Sequence, residues 1–407
     1  MEPVDQYLGE ILAAIVPLPG RDLSLAEAQG AVLTADVTAQ WPLPAFDNSA
    51  MDGYAVRAAD VAAASAGAPV TLPVDGEIAA GDTGQRMLQP GSVIRIMTGA
   101  ALPAGADAVV PVELTDAGIG RVQIREPVAE GASVRRRGGD ATPGDLLLTA
   151  GTRIGAVQLG LLAAAGLGTV AARPRPRVTV ISTGDELVEP GQPVLPGQIW
   201  ESNSVMLAAA ARQAGSAATR YPVVRDRAEA VLTAVRDALT SADLLISSGG
   251  VSMGAEHDVV KAALSTLGTV QFRKVAMQPG MPQGFGMVGD GTPIFTLPGN
   301  PVSAYVSFCL FVRPALDALQ GIHPQRAAPL LATLAGPARS PAGKRSFLRG
   351  ILDRPAGLDA RATQVIPVTG QASHQLASLA RANALIIVPE HVTELAAGET
   401  VEVLQLP

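Results

Sequence analysis

Arg177-Val178-Thr179-Val180-Ile181-Ser182-Thr183-Gly184-Asp185-Glu186 reads as a strand that runs straight into a glycine-containing loop, and this reading decides the fold. Residues 178–181 form a short β-branched run, Val-Thr-Val-Ile, as expected of a strand covered on both faces. Downstream, the same unit repeats. Residues 204–213 carry a helical pattern closed by Gly215, 219–224 a strand and 228–239 a helix. Residues 244–247 read as a strand, 259–267 as a helix closed by Gly268, 272–276 and 294–297 as strands, and 302–312 as a helix. Such alternation predicts a doubly wound, largely parallel sheet with helices on both faces.

Upstream, residues 4–15 and 23–33 carry spaced apolar residues and read as helical, with Pro17-Leu18-Pro19-Gly20 between them. Residues 45–140 are broken by Gly and Pro every few positions around short runs such as 93–97 and 109–112, the texture of a small β domain. Residues 141–174 return to helix. The weakly polar stretch 155–172 holds four glycines and Gln158, so it reads as a close-packed internal helix and the segment after it, not a membrane span. Arg173-Pro174-Arg175-Pro176 reads as a stiff linker. Past residue 327 short strands return, including 384–388 and 401–404, predicting a small barrel or sandwich. The domain expectation is therefore 1–44 with 141–174 as an elongated helical part, 45–140 as a β domain, 175–326 as the α/β domain and 327–407 as a C-terminal β domain.

The 407 residues are 48% hydrophobic and 16% charged, enough for packed cores and too little charge for a disordered chain. Aromatics are 3%, so Ala, Val, Leu and Ile build those cores. A net charge of -7 argues against nucleic acid as a partner. The single cysteine, Cys309, lies in an apolar run and reads as a buried hydrophobe; no disulfide forms within the chain, in keeping with a reducing compartment. The first residues lack a basic region and a cleavage pattern, so a cytoplasmic location is expected.

Three loops follow buried strands directly: Ser182-Thr183-Gly184-Asp185-Glu186, Ser247-Ser248-Gly249-Gly250-Val251-Ser252 and Pro298-Gly299-Asn300-Pro301. In an open parallel sheet, ligands bind beyond the carboxyl ends of the strands, so one ligand can touch all three. Glycines let backbone N–H groups approach a phosphate, and Ser and Thr hydroxyls add donors. Asn300 is placed to cap the next helix and Pro301 suits its first turn. Asp185, Glu186, Asp226 and Asp258 lie near these loops, and Asp52 and Asp140 lie in the β domain. Carboxylates beside a phosphate need a cation, and oxygen ligands with phosphates suit Mg²⁺. Asp226 and Asp258 also fit as first-turn helix acids, and Arg135-Arg136-Arg137 as a solvated face.

Other chemistries fit poorly. The four histidines (His257, His323, His374 and His391) make no zinc spacing, although His257 neighbours Asp258. Gly250-Val251-Ser252-Met253-Gly254 spells a nucleophile elbow, but its serine lies well beyond the strand. Gly284-Phe285-Gly286-Met287-Val288-Gly289 spells a dinucleotide fingerprint that leads into a turn, not a helix.

Taken together, 47–56, Ile96-Met97-Thr98-Gly99-Ala100, 182–187, 247–258 and 297–304 resemble the molybdopterin molybdenumtransferase family, known as MoeA in bacteria and as the E domain of gephyrin. The resemblance spans nearly the whole chain. It implies an elongated homodimer whose active sites lie between the α/β domain of one subunit and the β domain of the other. It implies the joining of molybdate to adenylylated molybdopterin, with Mg²⁺ assisting and AMP leaving, and contact with other proteins of molybdenum cofactor biosynthesis. By the same resemblance, the catalytic positions are Asp52, Thr98, Asp140, Glu186, Asp226, Asp258 and Lys274. Glu186 and Asp258 would hold the metal. Thr183, Gly184, Asp185, Ser247, Ser248, Gly249, Gly250, Ser252, Pro298, Gly299, Asn300, Pro301, Arg349 and Ser373 would hold the pterin substrate. One segment departs: Gln278-Pro279-Gly280-Met281-Pro282 stands where many bacterial relatives carry Lys-Pro-Gly-Lys-Pro, leaving Lys274, Arg345 and Arg349 as candidates to compensate. The alternatives are a gephyrin-like non-catalytic scaffold, or a molybdopterin adenylyltransferase-type enzyme.

Overall fold

A computed structural model describes residues 1–82, 86–249, 259–266, 269–322, 329–353 and 363–406. The chain forms two compact units. One comprises 1–23, 30–34 and 171–407; the other comprises 24–29 and 35–170.

The larger unit is built on a six-stranded sheet. Its strands are β1 (Arg177–Ser182), β2 (Ala217–Arg220), β3 (Leu244–Ser248), β4 (Gln271–Lys274), β5 (Pro282–Val288) and β6 (Thr292–Leu297). Its helices are α1 (Asn203–Gln213), α2 (Ala228–Leu239), α3 (Val259–Ser265) and α4 (Pro301–Leu319), the last with a π-helical turn at Phe308–Val312. The spatial order is β2-β1-β3-β6-β5-β4. The first four strands are parallel; β5 runs antiparallel to both β6 and β4. The largely parallel sheet is as expected, but β5 occupies the stretch that spells the dinucleotide fingerprint.

Side chains alternate between two faces, as the two-residue strand period requires. Val178, Val180, Leu244, Ile246, Phe295 and Leu297 pack in one core with α1, α4 and the N-terminal helix Val4–Ala14. Ile181, Leu245 and Ile294 face the other way, against α2 and α3. In α2, Val231, Ala234, Val235 and Ala238 are buried, an i, i+3, i+4, i+7 stripe facing the sheet. Burying each larger aliphatic side chain contributes ~1.5–3 kcal/mol. A charge at Val235 would therefore detach this helix from the sheet. Tyr7 meets Phe311 edge-on at 5.0 Å, so the N-terminal helix is part of this core. Helix α4 is long and apolar enough to cross a membrane, but 67% of its apolar window is buried within the unit.

Beyond α4, β7 (Leu330–Leu334), β8 (Arg345–Asp353), β9 (Gln364–Pro367), β10 (Ala384–Val388) and β11 (Thr400–Gln405) close into a barrel. The pairing runs β8-β9-β7-β11-β10 and returns to β8. Closure leaves no unpaired edge in the ring.

The smaller unit holds a five-stranded sheet in the order Ala108–Pro111, Gly53–Val56, Val93–Ile96, Val70–Ile78, Arg121–Ile124. Its inner strand Gly53–Val56 is wholly buried, with Tyr54 and Val56 in one core and Ala55 in another. Gly53 is required by close approach: a β-carbon there would sit 2.0 Å from the Val110 carbonyl oxygen.

Two helical expectations fail. Residues 23–33 form strand and turn, with Leu23, Ala28, Ala31, Val32 and Leu33 buried without a helix. Residues 141–174 hold one helix, Ala156–Ala164, between strands Leu146–Leu148 and Thr169–Arg173. Apolar spacing alone does not separate a helix from buried turns. The Arg-Pro-Arg-Pro segment is tied down: Arg173 donates to the Leu18 carbonyl, and Arg175 to those of Gly215 and Ser216.

Candidate functional site

Strands β1, β3 and β6 end level. Ser182 pairs with Ser248, and Ser248 with Leu297, so their three loops start side by side. The Thr183 N–H donates to the Ser248 carbonyl at 3.2 Å, and the Gly249 N–H to that of Leu297 at 3.2 Å. Gly249 has φ +99°, and a β-carbon there would lie 2.9 Å from the Thr183 carbonyl oxygen. Backbone thus packs against backbone where the first two loops meet. The Gly299 β-carbon position lies 3.8 Å from Gly249 Cα, which brings the third loop to the same point.

The side chains at this edge hold unspent hydrogen-bonding capacity. Among the described residues, Thr183 Oγ1, Ser247 Oγ, Thr296 Oγ1 and Asn203 Oδ1 are buried without a partner. Buried polar atoms cost free energy unless paired, so a group of them at strand ends is the signature of a polar ligand site. Pro298 is buried, and Gly299 and Asn300 are exposed. Asn300 occupies the cap position of α4 with Pro301 in its first turn, but its side chain makes no capping bond, contrary to expectation. The carbonyl of Ser373, from the barrel, accepts the Val302 N–H at 3.1 Å and places Ser373 beside the third loop.

Around this edge, Glu186 is exposed, its carbonyl accepts the Ile199 N–H at 2.9 Å, and its carboxylate makes no hydrogen bond or ion pair among the described residues and folds back over Gly184. A β-carbon on Gly184 would sit 2.6 Å from Glu186 Oε2. Asp185 pairs with Arg225 at 3.6 Å. Asp226 follows the loop after β2, two residues ahead of α2, and is exposed. Lys274 ends β4 opposite Pro282, which begins β5, so it lies on the same edge of the sheet. Gly250, Ser252, His257 and Asp258 lie outside the described residues.

The three cations expected to replace the missing lysines behave differently. Arg345 is paired with Asp5 at 2.8 Å and with Glu390 at 3.0 Å. Arg349 is fully buried, and its Nη2 donates to the carbonyls of Gly370 (2.6 Å) and Ala372 (3.2 Å). Arg349 therefore supports the loop that carries Ser373, while its Nε and Nη1 are buried without a hydrogen-bond partner among the described residues. Burial also pushes its guanidinium below the ordinary value. Lys274 is exposed and makes no ion pair among the described residues.

Sequence reasoning missed the polar frame under the loops. Glu201 is 1% exposed. Its carboxylate accepts from Ser182 Oγ (2.9 Å), the Ser204 N–H (2.7 Å), Ser204 Oγ (2.6 Å) and Arg220 Nη2 (3.2 Å). Two residues on, Asn203 Nδ2 donates to Ser248 Oγ at 2.8 Å and to the Gly299 carbonyl at 2.7 Å. An acid just before a helix was the available signal, and it reads equally well as an ordinary helix-end residue.

In the smaller unit, Asp52 Oδ1 accepts from the Thr98 N–H and hydroxyl, both at 2.7 Å. These bonds hold the Asp52 carboxyl below the usual carboxylate range, the backbone N–H first, with Arg95 adding to the effect. The 47–52 loop is stitched to 98–101 and 133–137. Ser49 exchanges bonds with Ala100 and Gly99, Ala50 donates to the Ser133 carbonyl, and Asp47 accepts from Arg136 and the Arg137 N–H. Arg136 is thus engaged with Asp47. Asp140 is exposed, with its N–H bonded to the Leu43 carbonyl. Among the described residues, no three His, Cys, Asp or Glu side chains gather to hold a metal.

Three family models match in succession: "MoeA N-terminal region (domain I and II)" over residues 2–166, "Probable molybdopterin binding domain" over 179–318 and "MoeA C-terminal region (domain IV)" over 332–406. Molybdopterin molybdenumtransferase 2 of Mycobacterium tuberculosis is 48% identical, covering 98% of each chain. The chain belongs to the molybdopterin molybdenumtransferase family. That makes it a transferase of molybdenum cofactor biosynthesis. Molybdopterin molybdenumtransferase 1 of the same organism is 42% identical over 99% of this chain and 98% of its own. The crystal structure of the molybdopterin biosynthesis protein MoeA from Pyrococcus horikoshii superposes with a TM-score of 0.74 at 32% identity, covering 99% of this chain and 98% of that one. The molybdopterin-binding match covers all three strand-end loops.

Proposed function

We propose that this chain joins molybdate to the dithiolene of adenylylated molybdopterin and releases AMP. The observation that carries this reading is the convergence of three level strand ends on a patch of unpartnered buried hydroxyls beside Gly249. Backbone N–H groups and hydroxyls hold phosphate oxygens there and stabilise the charge on the departing adenylate, so no protein nucleophile is needed. The open Glu186 carboxylate suits Mg²⁺, which takes one or two carboxylates and completes its shell with phosphate oxygens and water. Glu186, with Asp258, would hold that ion, which supplies neutralisation of phosphate charge. Lys274, the exposed cation at this edge, attracts the anionic substrates. This set of groups favours an enzyme over a scaffold.

The test is AMP release from adenylylated molybdopterin with Mg²⁺ and molybdate. The expected result is release that depends on molybdate and is lost in Glu186→Gln. Release without molybdate, or no release from the unaltered protein, would overturn the proposal.

The assembly proposed is a cytoplasmic homodimer in which Asp52, Thr98 and Asp140 serve the site of the other subunit. Mixing and re-pairing Glu186→Gln with Asp52→Asn chains would then restore about a quarter of full activity, since half the dimers are mixed and each has one intact site. No recovery in re-paired dimers would refute this arrangement.

A further inference from the structure

Asn203, the first residue of α1, ties the second strand-end loop to the third through its side chain. One amide nitrogen spends both of its hydrogens there: one on Ser248 Oγ at 2.8 Å, the other on the Gly299 carbonyl at 2.7 Å. A β-carbon on Gly299 would come within ordinary contact of Gly249 Cα at this point, and neither glycine has a side chain to set the distance between them. Ser248 also engages the first loop, because its carbonyl accepts the Thr183 N–H. The amide therefore adds a side-chain tie between the second and third loops to the backbone bonds that join the three strand ends. The opposite end of the same amide, Oδ1, is buried and unpartnered among the described residues, as are Thr183 Oγ1 and Ser247 Oγ. Asn203 is itself held from below: Glu201 accepts the Ser204 N–H and hydroxyl and the Ser182 hydroxyl, anchoring the first turn of α1 to the end of β1.

We propose that Asn203 is a positioning residue that sets the spacing of the phosphate-holding loops, and that its free Oδ1 accepts a hydrogen bond from the bound substrate. The inference rests on the reading of these loops as the pterin phosphate site. Two donors are required at one position, which only a primary amide of this length supplies here. Alanine removes both. Aspartate keeps the shape but supplies no donor when ionised, and a single O–H when protonated.

The experiment measures binding of adenylylated molybdopterin by calorimetry and steady-state AMP release for the unaltered protein, N203A and N203D. The expected result is a Kd and KM raised about tenfold or more in N203A, with kcat at saturation changed less than about threefold. The N203D variant should bind weakly while its carboxyl is ionised and regain part of the affinity only as pH falls into the ordinary carboxylate range, about 4. A merely structural role would not produce that recovery. Binding by N203A equal to that of the unaltered protein, or a fall in kcat alone, overturns the inference and leaves the function standing. Failure of the unaltered protein to bind the ligand would instead remove the functional reading, and this one with it.

Discussion

Replacing Glu201 by Gln perturbs one buried group and leaves its volume unchanged. Four donors converge on the Glu201 carboxylate: Ser182 Oγ, the Ser204 N–H, Ser204 Oγ and Arg220 Nη2. An amide in its place keeps one acceptor oxygen. In the Oε2 place its NH₂ faces both Arg220, which cannot accept, and the Ser204 hydroxyl, which must turn round; in the Oε1 place it faces the Ser204 N–H, which cannot accept either. Arg220 is 29% exposed and keeps Glu189 as a partner, so it is not stranded. The loss is thus one charge-assisted bond, worth ~1.5–3 kcal/mol, plus a small cost for the rearranged hydroxyl. We expect Glu201→Gln to destabilise the larger unit by about 2–3 kcal/mol, and Glu201→Ala by about 3–5 kcal/mol, because alanine leaves the donors and the Arg220 charge uncompensated. The two tryptophans make the assay clean, since Trp41 lies in the smaller unit and Trp200 adjoins Glu201. In a Trp41→Phe background, urea unfolding followed by Trp200 fluorescence reports this unit alone, which matters because a chain of two units need not unfold in one step. A change of less than ~0.5 kcal/mol for Glu201→Gln would mean that the buried carboxylate does not hold these four donors in solution.

Gly249→Ala combines a positive φ with a 2.9 Å approach to the Thr183 carbonyl oxygen. It should cost ~1–3 kcal/mol locally and weaken substrate binding more than it weakens folding; calorimetry beside thermal unfolding separates the two. Thr98→Val removes the hydroxyl bond to Asp52 and should raise that carboxyl towards its ordinary value, read by ¹³C NMR titration. The sign follows from which form is bonded. Bonds to the ionised carboxyl depress its pKa, so their contribution is present above the ordinary carboxylate range and is lost as pH falls through the depressed value. A carboxyl that titrates identically in both proteins would show that the hydroxyl bond is absent in solution. Burial pushes the Cys309 thiol up to about 12, so a disulfide reagent at mildly alkaline pH should leave it unreacted until denaturant is added. Rapid labelling of the folded chain would contradict that.

The part of the fold that binds was legible because its signals are local. The β1 and β3 runs are rich in β-branched and aliphatic residues on successive positions, as parallel strands covered on both faces must be, and α2 shows its stripe without interruption. The three loops follow from strand ends alone. Strand β5 was obscured by glycines that pattern reading assigns to turns. A β-carbon on Gly284 would meet Phe272 and Thr296 within about 3 Å, and one on Gly286 would meet the Thr269–Val270 backbone at 2.6 Å, so both glycines serve close packing within the sheet. Residues 23–33 have helical apolar spacing but bury it through turns, a choice made by tertiary contacts. The Asn203 clamp depends on partners 45 and 96 residues away, and no window of sequence contains them. Arg349 was chosen by resemblance; only the packed barrel shows that it supports the Ser373 loop from behind.

Substrate seated on the three level strand ends of the α/β sheet must shield their amides from solvent. Hydrogen–deuterium exchange with and without adenylylated molybdopterin, molybdate withheld, reads that shielding segment by segment. Added protection in the larger unit should be concentrated at residues 182–187, 247–249 and 298–302. Saturating ligand that leaves these three segments unchanged, or protects a different face of the sheet, would show that the substrate binds elsewhere.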